Sequence, residues 1–322
     1  MSLKTIIKAL KRYDRFLITS HHNIETDALG SELALANWLK ANKKKFFIVN
    51  QDFVPLAYRF LPGIKSVFNL PKIKSDLKFD AVIILDCSNF DRIGTVKGQI
   101  FEDKPTINID HHRSNENFGN FNWVKPTASS TAEMIYEIYK ASNVKISKKI
   151  ALLLYTGIMT DTGSFRFENT TSFTHKVISE LLKFKIPIKD IYHKIYESFA
   201  ASEMRLFCNV IKDFKIDKSK RIAWLELELG LLDEQKSKLD LNDAIFNILR
   251  SIETVEVAII FRESKKKDSV RVNFRSQGKV NVGKLAYSFG GGGHRAASGC
   301  VIKGNLRQVT SRVFKRINKL LK

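Results

Sequence analysis

Histidine and carboxylate side chains occur together in four short segments of the first half of the chain. In chain order these residues are His21, Glu25, Asp27, Asp86, Asp110, His111, His112 and Asp161. Imidazole combined with carboxylate is a donor set that suits Mn²⁺, Zn²⁺ or Fe²⁺ better than Ca²⁺. Two further histidines, His175 and His193, have apolar neighbours and are expected to be structural only.

Each of the four segments follows the end of a predicted strand or helix. Asp86 comes directly after the most apolar predicted strand, where an unpaired buried carboxylate is costly unless a cation neutralises it. One Asp at such a position is commonly a helix cap, but four segments together predict a metal site. About six of these side chains would be enough to hold two metal ions that are bridged by a carboxylate and a water. Such a pair of ions promotes in-line displacement at phosphorus. The residues therefore predict hydrolysis of phosphate esters.

The elements that position these segments can be predicted from the pattern of apolar residues. Predicted strands at 16–20, 46–50, 81–85 and 106–109 are interleaved with helices at 28–39, 132–141, 148–159 and 174–184. The 81–85 run is apolar throughout, which is typical of a strand buried on both faces of a parallel sheet. Ser130-Thr-Ala-Glu133 has the pattern of a capping box. This half of the chain is predicted to be α/β.

The second part of the chain has a different pattern and predicts a smaller mixed α/β domain. Strands are expected at 222–229, 255–261 and 270–274, with helices at 243–252 and 306–321. A chain of 322 residues is long enough for two cores. The predicted organisation is a metal-binding domain at 1–190, a linker at 191–208 and a substrate-binding domain at 209–322, with a cleft between the domains.

The distribution of charge predicts an anionic partner. The net charge is +21, and residues 269–322 contain twelve Lys and Arg but neither Asp nor Glu. Such a one-sided field attracts polyanions, so short single-stranded RNA or nucleotides are the expected substrates. The lysine runs at 43–45 and 265–267 are expected to be solvated surface.

The sequence also predicts a cytoplasmic location. The three cysteines, Cys87, Cys208 and Cys300, are widely spaced and odd in number, which favours a reducing compartment over a disulfide framework. There is no apolar run long enough to span a membrane, and the first residues do not have the pattern of a signal peptide. A homodimer is compatible with these features.

With these residues described, the four segments resemble the four motifs of the DHH phosphoesterase family. The run from Gly290 to Gly299, GGGGHRAASG, resembles the signature of the DHH-associated C-terminal domain. The segments 129–133 and 162–166 are most similar to the branch of nanoRNases and 3′-phosphoadenosine-5′-phosphate phosphatases. The chain is too short for the RecJ-type exonucleases, which have an additional nucleic-acid-binding domain. The glycine run also argues against a family II inorganic pyrophosphatase.

The resemblance implies a role for each candidate residue of the first domain. Two ions are implied, and both are expected to be Mn²⁺. The first ion would be held by His21, Glu25 and Asp86. The other ion would be held by Asp27, Asp86, His111 and Asp161, so that Asp86 would bridge the pair. His112 would contact the scissile phosphate, and Asp110 would orient a histidine.

One position departs from the family pattern. The family has Pro-Asp where this chain has Ile24-Glu25. Glutamate is a competent ligand but is one methylene longer, so the loop is expected to have receded to accommodate it. If it has not, the first metal site is weakened.

The second domain is expected to hold the substrate through backbone amides and positive charges. Glycines have no Cβ, so Gly291, Gly292 and Gly293 allow a phosphate to approach the backbone closely, and His294 can donate to it. Arg262 and Arg275 each end a predicted strand and are suited to bidentate phosphate contacts.

The sequence predicts a two-metal phosphodiesterase that hydrolyses very short oligoribonucleotides to nucleoside 5′-monophosphates. The same site is expected to convert 3′-phosphoadenosine 5′-phosphate to AMP. Two alternatives remain open, a hydrolase of linear dinucleotides derived from cyclic dinucleotide signals and a nucleotide- or RNA-binding protein with an impaired metal site.

Overall fold

A computed structural model describes residues 1–70, 77–100, 104–228, 241–264, 268–293 and 295–320. The chain divides into two compact units, Met1–Glu197 and Ser198–Lys322. The predicted α/β class is confirmed, with a parallel sheet in the first unit and a mixed sheet in the second. No helix in the described ranges is both long and apolar enough to cross a membrane.

The first unit contains a six-stranded parallel sheet. Its strands are β1 (Arg15–Ser20), β2 (Lys45–Asn50), β3 (Val67–Asn69), β4 (Ala81–Leu85), β5 (Thr106–Asp110) and β6 (Phe121–Val124). Their order is β3-β2-β1-β4-β5-β6, and every neighbouring pair is parallel. The direction of strand addition therefore reverses between β1 and β4. Open α/β sheets bind ligands beyond the carboxyl ends of the strands at such a reversal.

In the described residues, six α-helices accompany this sheet, together with several 3₁₀ segments. They are α1 (Leu3–Arg12), α2 (Thr26–Ala41), α3 (Thr131–Ala141), α4 (Lys148–Asp161), α5 (Ser172–Leu182) and α6 (Ile188–Tyr196). On one face of β4, Ile83 and Leu85 pack in the cluster that includes α2, α3 and α4. On the other face, Val82 and Ile84 pack against residues of the 3₁₀ segment Phe90–Gln99. The central strands are therefore buried on both sides, as their apolar runs predict.

Helices α2 and α4 approach each other closely at two glycines. A Cβ added to Gly30 would lie 2.7 Å from the carbonyl oxygen of Leu153. A Cβ added to Gly157 would lie 2.8 Å from both Ala132 Cβ and Asp27 Oδ1. The missing side chains thus allow α4 to pack directly over the start of α2, which brings Asp161 at the end of α4 towards Asp27.

The described part of the second unit contains a mixed six-stranded sheet and four helices. The strands are β7 (Lys215–Ile216), β8 (Ile222–Leu227), β9 (Val257–Glu263), β10 (Ser269–Ser276), β11 (Gly292–Gly293) and β12 (Ala297–Lys303). Their order is β11-β12-β10-β9-β8-β7, and only the β8–β9 pair among them is parallel. The helices are α7 (Ala201–Ile211), α8 (Leu241–Arg250), α9 (Val282–Tyr287) and α10 (Leu306–Ile317). The predicted linker, 191–208, includes much of α6 and α7, and the domain limits themselves stay a prediction.

The close approach of α2 and α4 predicts the effect of adding one methyl group. Gly30→Ala should lower the free energy of unfolding by about 1–3 kcal/mol, because the Leu153 backbone must move. Alanine is the better helix former by about 1 kcal/mol, so the sign of the change reports packing and not propensity. Denaturant unfolding measures it. Gly98→Ala is the control, because a Cβ there meets no atom within 4 Å. A neutral Gly30→Ala would contradict the packing described.

Candidate metal centre

The carboxyl ends of β1, β4 and β5 bring the first histidine and carboxylate residues to one edge of the sheet. His21 follows β1, Asp86 follows β4, and His111 follows β5. β1 and β4 are direct neighbours, as are β4 and β5. The three side chains therefore meet because the strands that end in them are adjacent and parallel.

Asp86 is the centre of this arrangement. Its Oδ2 lies 3.4 Å from His21 Nε2, and its Oδ1 lies 3.5 Å from His111 Nε2. Thr131 Oγ1 also donates a hydrogen bond to Oδ1, at 3.1 Å. The residue has φ +53°, in the left-handed region that Asp tolerates better than most residues. This backbone turns the carboxylate back over the end of the strand, where both of its oxygens face imidazoles.

Two histidines present the same ring nitrogen to the carboxylates. His21 Nδ1 donates to the carbonyl of His22 at 2.8 Å, and His111 Nδ1 donates to the carbonyl of Ala128 at 3.3 Å. A carbonyl oxygen only accepts, so Nδ1 carries the proton in both rings. Nε2 therefore points into the cluster, which is the arrangement that orients histidines as metal ligands.

His112 is held differently from its neighbour. Its Nδ1 lies 2.7 Å from Asp110 Oδ1, and Asn115 Nδ2 donates to the other oxygen of Asp110 at 2.6 Å. Asp110 is fully buried and its carboxylate is occupied by these two partners. The geometry places Asp110 behind His112 as its orienting carboxylate. Asn115 is a residue that the sequence pattern did not indicate.

Asp27 is bound by the N-terminus of α3. The backbone amide of Thr131 donates to Asp27 Oδ2 at 2.7 Å, and the amide of Ala132 donates to Oδ1 at 2.9 Å. The first amides of a helix have no partner within the helix, and its dipole favours a negative charge there. Asp27 therefore sits, buried, at a site that compensates part of its charge.

The predicted capping box at the start of α3 is half wrong. Ser130 Oγ does accept from the amide of Glu133, at 3.1 Å. The Glu133 carboxylate does not reach back to the amide of Ser130. It accepts instead from Ser129 Oγ and from Thr174 Oγ1, each at 2.7 Å. A buried carboxylate needs several donors, and the hydroxyl group of α5 supplies one that a local motif cannot.

Two groups of donors in the described residues have the spacing of metal sites. One group is Asp86, His111 and His112, and the other is Asp27, His111 and Asp161. Asp161 Oδ2 lies 3.4 Å from His111 Nε2, yet it is buried and makes no hydrogen bond with any described residue. A buried carboxylate oxygen without a donor is suited to a cation. The donor set of imidazole and carboxylate fits a divalent transition metal.

The pKa values follow from the concentration of negative charge. Burial, and then the charges of Asp86 and Asp161, raise the pKa of Asp27 well above its ordinary value. Burial would lower the pKa of His111, but Asp86 and Asp161 outweigh it and raise this pKa to about 10. Burial also raises the pKa of Asp86, but hydrogen bonds from His111 and His21 dominate and lower it well below normal. These shifts indicate that the buried carboxylates of the cluster are stabilised by a nearby positive charge.

Glu25 lies apart from both groups. It is the N-cap residue of α2, it is exposed, and its side chain makes no capping hydrogen bond. Neither donor group among the described residues includes it. The receded loop expected from the Ile24-Glu25 departure therefore agrees with an exposed side chain, while ligation by Glu25 stays a prediction.

Among the candidate substrate residues of the second unit, Arg262 lies on β9, Arg275 on β10, and Gly292 and Gly293 on β11. Arg262 Nη2 donates to Asn242 Oδ1 at 2.6 Å, and Arg275 Nη2 lies 3.5 Å from Asp243 Oδ1. Arg271, which the sequence analysis did not single out, is the register partner of Arg262 on the neighbouring strand.

Three arginines therefore lie on one face of this sheet, because residues 271 and 275 alternate with the buried side chains of β10.

The glycine run forms the short strand β11 and a surface pocket. Gly292 and Gly293 pair with Gly299 and Ser298 of β12. A Cβ at Gly291 would lie 2.2 Å from the carbonyl oxygen of Gly299, so this position requires glycine for packing. Gly293 also borders a pocket of about 340 Å³ whose other lining residues are Asn281, Gly283, Lys284, Tyr287 and Arg295. His294 lies outside the described residues.

A buried carboxylate behind the metal centre escaped the sequence analysis. Glu32 on α2 is fully buried, and Asn50 Nδ2 donates to its Oε2 at 2.9 Å. Asn50 Oδ1 in turn accepts from the amide of Ser20, at the end of β1, at 3.1 Å. Burial raises the pKa of Glu32 to about 8. The sequence feature that could have indicated this residue is a single Glu in an otherwise apolar part of a predicted helix.

Comparison with known protein families identifies both halves of the chain. Residues 15–158 match the model of the DHH family N-terminal domain, and residues 233–322 match the model of the DHHA1 domain. The first range includes every residue of the two donor groups except Asp161. The second range includes the glycine run and the three arginines.

Individual relatives match over almost the whole chain. The bifunctional oligoribonuclease and PAP phosphatase NrnA of Thermus thermophilus is 31% identical over 306 residues, which cover 94% of this chain and 89% of that protein. The protein of the same name from Bacillus subtilis is 28% identical, with 92% of each chain covered. The crystal structure of an exopolyphosphatase-related protein from Bacteroides fragilis superposes with a TM-score of 0.87 at 28% identity, covering 98% of this chain and 94% of that one.

Burial of Glu32 predicts a specific pH dependence of stability. The unfolded chain releases this proton above its ordinary pKa of about 4.3, whereas the folded protein keeps it until about pH 8. Stability should therefore fall as pH rises through this window, by about 5 kcal/mol in total. Glu32→Gln removes the titrating group. The free energy of unfolding of this variant, relative to that of wild type, should therefore increase from pH 4 to pH 8.

Urea unfolding in the presence of a chelator at several pH values measures this difference. Glu168→Gln, at an exposed position, is the control and should follow the wild-type curve. A stability difference between Glu32→Gln and wild type that stays constant with pH would contradict the prediction.

Proposed function

Because this chain belongs to the DHH phosphoesterase family, we propose that it hydrolyses very short oligoribonucleotides to nucleoside 5′-monophosphates. We also propose that it converts 3′-phosphoadenosine 5′-phosphate to AMP at the same site. The observation that supports this function best is the meeting of Asp27, Asp86 and Asp161 around His111. The names of the relatives from Thermus thermophilus and Bacillus subtilis favour these two substrates over other phosphate esters.

Two divalent ions, Mn²⁺ by preference, are proposed to bind at this edge of the sheet. The residues proposed to hold them are His21, Asp27, Asp86, His111 and Asp161, with Glu25 as a further ligand of the first ion. When bound, such ions lower the pKa of a water and polarise the phosphoryl oxygens. Asp86, which faces His21 through one oxygen and His111 through the other, is suited to contact both ions.

His112 is proposed as the catalytic residue. Its Nδ1 is held by Asp110 at 2.7 Å, which fixes the orientation of the ring. A protonated imidazole in this position can donate to a phosphoryl oxygen or to the leaving oxygen as charge develops there. Asn115 steadies Asp110 from its other side, so the pair is fixed before substrate arrives.

The basic face of the second unit is proposed to hold a phosphate of the substrate that is not cleaved. Arg262, Arg271 and Arg275 project from adjacent strands, and residues 269–322 contain no acid. Gly291, Gly292, Gly293 and His294 are proposed to contribute donors next to this face. Arg275 also stacks on the ring of Phe246, 4.8 Å from its centroid, which limits the motion of the guanidinium.

Two alternative functions are separated from the proposal by one experiment. Linear dinucleotides from cyclic dinucleotide signalling differ from other short RNAs only in their bases. A binding protein would retain nucleotides without turnover. Incubation in Mn²⁺ with a labelled diribonucleotide, a linear diguanylate, a longer RNA and 3′-phosphoadenosine 5′-phosphate should show rapid hydrolysis of the short substrates. Binding without hydrolysis of any of them would favour the binding protein.

Asp86→Ala should reduce turnover of a diribonucleotide to less than about a tenth of wild type, because the proposed bridging carboxylate is lost. Bound Mn²⁺, counted by elemental analysis after gel filtration, should fall in parallel. Asp91→Ala is the matched control, since the Asp91 side chain is 87% exposed and paired with Lys97. Retained turnover together with retained metal in Asp86→Ala would overturn the ligand assignment.

Arg271→Ala and Arg275→Ala should act on substrate affinity. Each is expected to raise the Michaelis constant for a diribonucleotide about tenfold and to change kcat little, since a charge remote from the reacting bond contributes to binding. Arg316→Ala, which removes one exposed charge from α10, is the control for net charge. Equal losses on a small phosphodiester without a second phosphate would argue against a separate binding face.

A further inference from the structure

The segment that directly follows Asp161 has an unusual backbone. Gly163, Ser164 and Phe165 have φ values of +55°, +59° and +66°. Three successive residues in the left-handed region are rare, because a side chain with a Cβ is strained there. Such strain persists where surrounding contacts enforce it, and it is concentrated at functional sites. The chemistry proposed above gives this turn no role.

Hydrogen bonds to the end of α4 hold the turn in one shape. The amides of Arg166 and Phe167 both donate to the carbonyl oxygen of Thr162, at 3.0 Å and 3.1 Å. The amide of Ser164 donates to the carbonyl of Met159 at 2.7 Å. Arg166 Nε donates to the carbonyl of Gly163 at 2.7 Å. The turn is therefore closed by its own backbone and by one arginine.

The two phenylalanines of this turn face in different directions. Phe165 packs inward, with its ring centroid 6.3 Å from that of Tyr155 and 5.8 Å from that of His175. Phe167 remains 45% exposed. A Cβ added to Gly163 would lie 2.4 Å from the Phe167 ring, so the ring rests directly on the glycine backbone. The exposed aromatic ring is thus supported from below.

The turn that carries this ring is hydrogen-bonded to residues 161 and 162, at the end of α4. The amide of Phe167 donates to the carbonyl oxygen of Thr162, which is the residue after Asp161, so one hydrogen bond connects Phe167 to the neighbour of Asp161. Asn169 Nδ2 ties the loop to the same place, since it donates to the carbonyls of Asp161 and Ser129 at 3.1 Å and 2.8 Å.

We propose that the ring of Phe167 forms a nucleobase subsite. One base next to the scissile phosphate stacks on this ring. The proposal rests on the proposed function and adds a substrate contact to it. Every base has a flat π face, so an exposed aromatic ring binds bases with little preference for sequence. Arg166, the preceding residue, is exposed and adds a positive charge to the same turn. A substrate of two or three nucleotides makes few other contacts with the protein. One stacked base therefore contributes a large part of its binding affinity.

The test compares Phe167→Ala with wild type on a diribonucleotide and on the same molecule with an abasic ribose at either position. The Michaelis constant for the intact dinucleotide should rise about tenfold, which is at the lower end of the measured range for one stacked base. The variant should lose nothing further on the substrate that lacks the stacked base. Phe167→Trp should restore the wild-type value.

Phe68→Ala is the matched control, because Phe68 is also 45% exposed but lies on the edge strand β3. Melting temperatures of all variants are measured alongside to exclude unfolding. An unchanged Michaelis constant in Phe167→Ala, or an equal rise on both abasic substrates, would overturn the subsite.

A binding measurement separates this proposal from the proposed function. AMP should quench the additional tryptophan emission of Phe167→Trp relative to wild type, whereas ribose 5-phosphate should not. If no short RNA is hydrolysed, the proposed function fails, while quenching by AMP still supports the subsite. Equal responses to AMP and ribose 5-phosphate would overturn it.

Discussion

Negative charge gathered at one edge of a parallel sheet is the constraint on which the first unit depends. Asp27, Asp86 and Asp161 are drawn together by elements that would otherwise pack for apolar reasons alone. Each carboxylate therefore needs a compensating group, and each group comes from a different element. The histidines at the ends of β1 and β5 serve Asp86, and the N-terminal amides of α3 serve Asp27. The α3 helix is thus as much a part of the centre as the residues that would bind metal.

The sequence was sufficient to predict the central strands and to indicate the histidines and carboxylates that the structure brings together around Asp86. Runs such as 81–85 are visible because a strand buried on both faces must be apolar throughout, and parallel strands bring their carboxyl ends to one edge. The edge strands β3 and β6 were missed because they have only three and four residues and each contains an Asn, so no clear alternation distinguishes them from loops. The partnership of Glu133 with Thr174 was missed for another reason, since 41 positions separate them and no local pattern encodes the contact.

Glu25 illustrates the limit of arguing from a matched position. A motif assigns a residue to a place in the chain, but the direction of its side chain depends on the backbone around it. Here the residue before the helix is exposed, while Asp27, two positions later, is buried and bound by α3. Only the packing of α2 against α3 and α4 distinguishes the two carboxylates.

The hydrogen bonds between Asp27 and α3 also have a consequence for how the protein is made. A ribosome releases β1 and the start of α2 long before α3, because more than a hundred positions separate Asp27 from Thr131. Until α3 docks, the Asp27 carboxylate has neither its backbone donors nor its place in the cluster. Asp161 follows later still, at the end of α4. The nascent chain must therefore complete almost the entire first unit before the donor side chains come together. The proposed metal site can form only in a first unit that has folded correctly.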